Sequence, residues 1–183
     1  IFASNTSTLP ITGLAKASSR PDNFIGLHFF SPVDRMPLVE IIVGDATTDE
    51  TLARAMDYVM AIRKTPIVVN DSRGFYTSRV FATYVREGLA LLAEGVAPAL
   101  IENAGKMAGM PVGPLGMADE VSIDLMYKVG KQTREDLGDD YVEMPGDDLV
   151  RHMVEDLGRI GKKVGKGFYD YPETGSKHLW PGL

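Results

Sequence analysis

The chain reads as α/β over residues 1–71 followed by all-α over residues 72–183. Three observations lead there. Up to residue 71, short β-branched and aromatic runs alternate with polar caps and one amphipathic helix. From residue 72 the apolar period changes to that of helices, and strand-like runs largely vanish. The change falls at Asp71-Ser72-Arg73-Gly74, a polar, glycine-containing stretch suited to a boundary.

The elements follow in order. Ile1 to Ser4 is the end of a strand, and Asn5-Thr6-Ser7-Thr8 a polar turn. Leu9 to Ala17 is a short helix that tolerates Pro10 in its first turn. Phe24–Phe30 and Pro37–Val43 are apolar strand runs around the turn Ser31 to Met36. Thr47-Thr48-Asp49-Glu50 caps a helix whose apolar face is Leu52, Ala55, Met56, Val59, Met60 and Ile62. Pro66 to Val69 is a further strand. The second part begins with a long helix marked by Val80, Phe81, Tyr84, Val85, Leu89 and Leu92. Pro98 opens another, stopped by Gly109. The spacing then predicts helices from about Met117 to Leu137 and from about Asp147 to Ile160, joined as a bundle-like domain. Beyond Tyr171 no closing element is evident, and both ends read as cuts from a longer protein.

Composition narrows the function. The 183 residues carry a net charge of −6 with both signs interspersed, which gives no basic footprint for nucleic acid. There is no cysteine, so thiolate metal sites and thiol nucleophiles are excluded, and a reducing, cytoplasmic setting is the expectation. No apolar run reaches the ~18 residues of a membrane span. The nine methionines are scattered, mostly at helix-face positions, and are expected to fill core. Gly161-Lys162-Lys163-Val164-Gly165-Lys166-Gly167 lacks the Gly-Lys-Ser/Thr ending of a phosphate loop, and no Gly-x-Gly-x-x-Gly follows a strand.

His28 and Glu40 stand out. Each is the one ionisable group in an apolar run, and burial of either is costly without a partner. If the runs pair antiparallel about residue 34, the two lie directly opposite, as a base and the carboxylate that orients it. A satisfied core histidine and a solvent-facing glutamate fit the same spacing. Asn5-Thr6-Ser7 follows a strand's carboxyl end, where open α/β sheets bind ligands, although a helix-capping turn also accounts for it.

Several segments together resemble the 3-hydroxyacyl-CoA dehydrogenase family. Ser4-Asn5-Thr6-Ser7-Thr8-Leu9, Gly26-Leu27-His28-Phe29-Phe30-Ser31-Pro32 and Leu38-Val39-Glu40-Ile41-Ile42 are similar to the second half of its NAD-binding Rossmann-like domain. Asn70 to Arg79 resembles its interdomain segment; Pro111-Val112-Gly113-Pro114 and Gly161 to Tyr171 resemble its helical C-terminal domain. The resemblance implies a partial Rossmann-like sheet whose first half is missing, then a helical substrate and dimerisation domain. It implies NAD as cofactor, an acyl-CoA substrate in fatty-acid β-oxidation, and a homodimer or larger complex through the helical domain. It makes His28 the general base, Glu40 its orienting partner, and Ser7 and Ser78 contacts of the reacting oxygen. Asn5 and Ser31 fall on the cofactor side. The family usually has Asn where Ser78 and Ser31 stand, so the polar surroundings of the pair differ here. Larger relatives add a hydratase domain, which would suit the cut ends. Two further readings fit part of the pattern: a non-catalytic relative on the same fold, and a dehydrogenase of another hydroxy acid.

Overall fold

A computed structural model describes residues 1–183, which divide into two compact units, Ile1–Phe81 and Ala82–Leu183.

The first unit is built on a four-stranded sheet in sequential order: β1 (Phe2–Ser4), β2 (Phe24–Phe29), β3 (Leu38–Val43) and β4 (Thr65–Asn70). β1 and β2 are parallel, β2 and β3 antiparallel, and β3 and β4 parallel. Parallel neighbours need a crossover, and two helices supply it: α1 (Ile11–Ala15) between β1 and β2, and α2 (Asp49–Ala61) between β3 and β4. α2 starts where Thr48 Oγ1 accepts a hydrogen bond from Thr51 N, with Asp49 and Glu50 favourably placed in the positive first turn. Successive strand residues point to opposite faces, so the sheet has two cores. Ile25, Leu27, Val39 and Ile41 pack with Ala55 and Val59 of α2. Phe24 and Ile42 pack on the other side with Ile11, Ala15 and Phe75. His28 and Glu40 alternate onto this second side. Covering both faces is why the runs read as continuously apolar. Gly26 is required by close approach: an added Cβ would stand 2.8 Å from Ile42 Cβ and 2.9 Å from Ile11 Cδ1.

α1 is shorter than the expected Leu9–Ala17. Its start is fixed from far along the chain, because the Asp71 carboxylate accepts from Ile11 N at 2.8 Å and Thr12 N at 2.7 Å. Nothing near Leu9 encodes that cap.

The second unit contains most of α3 (Thr77–Ala93), then α4 (Pro98–Met107), α5 (Pro114–Val121), α6 (Ile123–Leu137) and α7 (Asp147–Glu155). The single helix expected over Met117–Leu137 is two helices. Ser122 adopts φ 93° at the break, and Ile123 N donates to Ile160 O at 3.1 Å instead of continuing α5. Gly161 packs against the same corner, where an added Cβ would lie 2.8 Å from Asp119 O. α7 also ends early, because Gly158 turns the chain at φ 60° and Arg159 N bonds Met153 O.

The tail past Tyr171, expected to trail off, forms a two-stranded ribbon instead: β5 (Tyr169–Asp170) with β6 (His178–Leu179). Buried Arg159 anchors it by donating to Gly167 O, Tyr169 O and Asp170, with its guanidinium 4.3 Å from the Trp180 ring centre. The methionine expectation holds for Met153, which is buried, and fails for Met107, 88% exposed at the end of α4. No helix is long and apolar enough to cross a membrane.

Candidate active site

The antiparallel register sets His28 opposite Glu40. His28 Nδ1 lies 2.7 Å from Glu40 Oε2, and Glu40 is fully buried. With a carboxylate that can only accept, the neutral ring places its hydrogen on Nδ1 and leaves the lone pair on Nε2. Phe30 and Phe75 flank the ring, with centroids 4.5 and 6.1 Å away, and limit its tilt.

Glu40 has three further donors, all from the start of α3. Oε1 accepts from Tyr76 N at 3.1 Å and Thr77 N at 2.8 Å. Oε2 accepts from Thr77 Oγ1 at 2.8 Å. A helix begins with backbone N–H groups that have no partner within it. Glu40 satisfies two of them, and the positive end of the helix suits a carboxylate. Residues 40 and 77 are 37 apart in the chain, and no local pattern around Thr77 announces this contact.

The other expected residues fall as follows. Asn5 follows β1, and its Oδ1 accepts from Phe29 N at 2.9 Å, tying the carboxyl ends of β1 and β2 together. Ser7 is exposed two residues further on, and Ser31 is exposed just past β2. Ser78 is half-buried in the first turn of α3, next to Thr77. Asn5, Ser7, His28 and Ser31 therefore gather at the carboxyl ends of two parallel strands, where α/β sheets bind ligands. Lys64 braces the loop that carries Ser31, donating to Val33 O and to Met36 O. A cleft of about 450 Å³ opens on the α2 side of β1 and β2, lined by Ala3, Asn5, Leu27, Phe29 and Tyr58. It lies across the sheet from the dyad, and of the expected residues only Asn5 reaches it.

A second set of buried carboxylates lies in the other unit. Glu102 accepts from Leu115 N at 2.7 Å, Gly116 N at 3.2 Å and Tyr169 Oη at 2.6 Å. Asp119 accepts from Phe168 N and Tyr169 N, both at 2.8 Å, and from Tyr171 Oη at 3.0 Å. Burial pushes the Asp119 carboxyl up, against the pull of those donors. Burial also drives both phenols well above their ordinary range, helped by the Glu102 charge at Tyr169 and the Asp119 charge at Tyr171. This set caps α5 and ties it to Phe168–Tyr171; every carboxylate oxygen in it is engaged by the chain itself. The glycine-rich loop is likewise closed on itself, with Gly161 N, Gly165 N and Lys166 N all bonded within it. Those three amides are not free to cradle a phosphate.

The order of a sheet unit followed by a helical unit is matched by two family models. Residues 1–72 match the 3-hydroxyacyl-CoA dehydrogenase NAD binding domain, and residues 74–171 match the 3-hydroxyacyl-CoA dehydrogenase C-terminal domain. The chain belongs to the 3-hydroxyacyl-CoA dehydrogenase family. Among particular proteins, it is 46% identical over 177 residues to the fatty acid oxidation complex subunit alpha of Shewanella amazonensis, covering 97% of this chain and 24% of that one. The chain thus spans about a quarter of the length of such relatives. The crystal structure of (S)-3-hydroxybutyryl-CoA dehydrogenase from Ralstonia eutropha superposes with TM-score 0.84 at 38% identity, over 94% of this chain and 61% of that one. For 3-hydroxybutyryl-CoA dehydrogenase from Escherichia coli the values are 0.83 and 32%, over 95% and 37%.

The donor set at the sheet's carboxyl end fits the nicotinamide side of NAD. Asn5 uses its Oδ1 on Phe29 N, which leaves its amide N–H donors, and Ser31 offers an exposed hydroxyl. For the pyrophosphate this chain has no glycine fingerprint to offer.

Proposed function

We propose that these residues carry the proton-transfer half of an NAD-dependent 3-hydroxyacyl-CoA dehydrogenase that oxidises 3-hydroxyacyl-CoA to 3-oxoacyl-CoA in fatty-acid β-oxidation. The observation that supports this most is the 2.7 Å bond from His28 Nδ1 to buried Glu40, in a chain of that family. His28 Nε2 takes the proton as the substrate O–H bond breaks. The C3–H bond breaks with its electron pair, and C3=O forms. NAD, when bound, supplies the acceptor for that hydride. Glu40 fixes the ring's tautomer and compensates the imidazolium that results. Ser7 and Ser78 hydrogen-bond the reacting oxygen, and Asn5 and Ser31 hold the nicotinamide end of the cofactor.

In this reading residues 1–71 complete the cofactor domain, and residues 72–183 form the substrate and dimerisation domain. The setting is cytoplasmic. The test is an assay of the whole protein with NAD and a 3-hydroxyacyl-CoA. His28→Ala lowers turnover by about 10²- to 10⁴-fold, as loss of a positioned base does. Near-normal turnover in that variant would send the proton elsewhere and reject the reading.

A further inference from the structure

We propose that Thr77 is a positioning residue for the base: its hydroxyl, bonded to the same Glu40 oxygen as the imidazole, fixes the lone pair on which His28 rests. The inference builds on the reading of His28 as the base.

A threonine in the N-cap position ordinarily uses its side chain on the helix itself. Its hydroxyl accepts a hydrogen bond from an N–H of its own first turn. Thr77 stands one place further, as the first residue of α3, and the N–H groups of Tyr76 and Thr77 are taken by Glu40 Oε1. The Thr77 hydroxyl therefore does not serve as the cap of its own helix, and it donates to Glu40 Oε2 at 2.8 Å. That oxygen also receives His28 Nδ1 at 2.7 Å.

The two carboxylate oxygens thus have separate tasks. Oε1 is held by backbone, which no substitution at Thr77 other than proline removes. Oε2 is shared by two side chains. With Thr77 Oγ1 on one side of Oε2, the imidazole meets the other side, and the direction of the Nδ1–H bond is set. Glu40 is fully buried, so water does not take the vacated position when the hydroxyl is removed. The carboxylate then turns to recover a partner, and the ring loses its fixed acceptor.

Thr77→Val keeps the branched shape and both backbone caps, and deletes the hydroxyl alone. In the whole protein it lowers kcat by about 10- to 100-fold, the worth of one hydrogen bond to a charged group. KM for substrate and for NAD stays unchanged, because the hydroxyl that is removed is engaged by Glu40. Thr77→Ser restores the rate.

A second readout needs no turnover. With this 183-residue chain, ¹⁵N resonances of the neutral His28 ring report which nitrogen bears the hydrogen. Wild type and Thr77→Ser show Nδ1–H alone; Thr77→Val shows a mixture of tautomers. If the valine variant does not fold, Thr77→Ser against Thr77→Ala asks the same question, since they differ by the hydroxyl. Wild-type kcat with a single tautomer in the hydroxyl-free variant overturns the proposal. So does a serine variant as impaired as the valine one. Failure of the underlying reading looks different: the wild-type protein shows no NAD-linked oxidation, or His28→Ala keeps its turnover, whatever Thr77 does to the tautomer.

Discussion

Gly167 and Asp119 meet with no room for a methyl group between them: a Cβ added at Gly167 would fall inside the contact radius of both Asp119 carboxylate oxygens. This is a matter of space, not of backbone conformation. The closeness lets one buried carboxylate accept from two successive amides, Phe168 N and Tyr169 N, and so hold the last turn of the glycine-rich loop.

Gly167→Ala therefore destabilises the second unit. Overpacking alone costs ~1–3 kcal/mol, and displacing the carboxylate from its donors adds to that. Urea unfolding of the chain measures the loss. An unchanged midpoint would mean that the loop moves aside freely.

Glu40→Gln tests whether one side chain holds two elements. The amide nitrogen must face either the Oε1 donors, Tyr76 N and Thr77 N, or the Oε2 donors, His28 Nδ1 and Thr77 Oγ1. Either way donors meet a donor in a fully buried place, at ~1–3 kcal/mol for each group left unsatisfied. Turnover and unfolding free energy fall together. A variant with lost turnover and wild-type stability would show that the cap on α3 does not depend on the charge.

Two aspartates give opposite slopes of stability with pH. Lys163 holds the Asp124 carboxyl well below its usual range, with help from Ser122. Its folded value is depressed, so between the two values the unfolded chain binds more protons. The stability it contributes is present above the ordinary ~3.9 and lost as pH falls through the folded value. Asp119 is raised by burial, so its contribution is full below the ordinary value and declines as pH rises through the folded one. Wild type is more stable than Asp124→Asn at neutral pH, and the gap closes in acid. A gap that stays constant on acidification refutes the assignment. Carboxyl ¹³C titration places the Asp119 midpoint above that of a free aspartate.

The second unit leaves apolar helix residues in water, among them Leu100, Leu125, Val129 and the terminal Met107. The expected outcome is association through this surface. Sedimentation of the chain should give a dimer, and calorimetry only weak NAD binding, because the chain has no glycine fingerprint. A clean monomer rejects the first expectation, and tight NAD binding the second.

What could be read from the sequence was what repeats locally. Apolar runs with one charged residue each fixed β2, β3 and the His28–Glu40 register, since strand pairing about a known turn leaves little choice. α2 and α4 carried their own start signals, the cap Thr48 and the first-turn Pro98. Features set by distant partners were not legible. The break at Ser122 depends on Ile160, 38 residues on, and the start of α1 on Asp71, 60 residues from Ile11. The ribbon at the tail is two residues per strand, too short to have a period, and is held by Arg159 and Trp180. Thr77 was hidden for the same reason. Its chemistry belongs to a carboxylate on another element.

The capping of α3 by Glu40 inverts an ordinary pattern of amide exchange. First-turn amides of a helix usually trade their hydrogens with water fastest, because nothing within the helix protects them. Tyr76 N and Thr77 N rest on a carboxylate that water does not reach. They exchange only when the sheet releases Glu40, and that same opening frees His28. Deuterium uptake at these two positions is therefore a clock for how often the base comes loose, readable in the absence of any substrate.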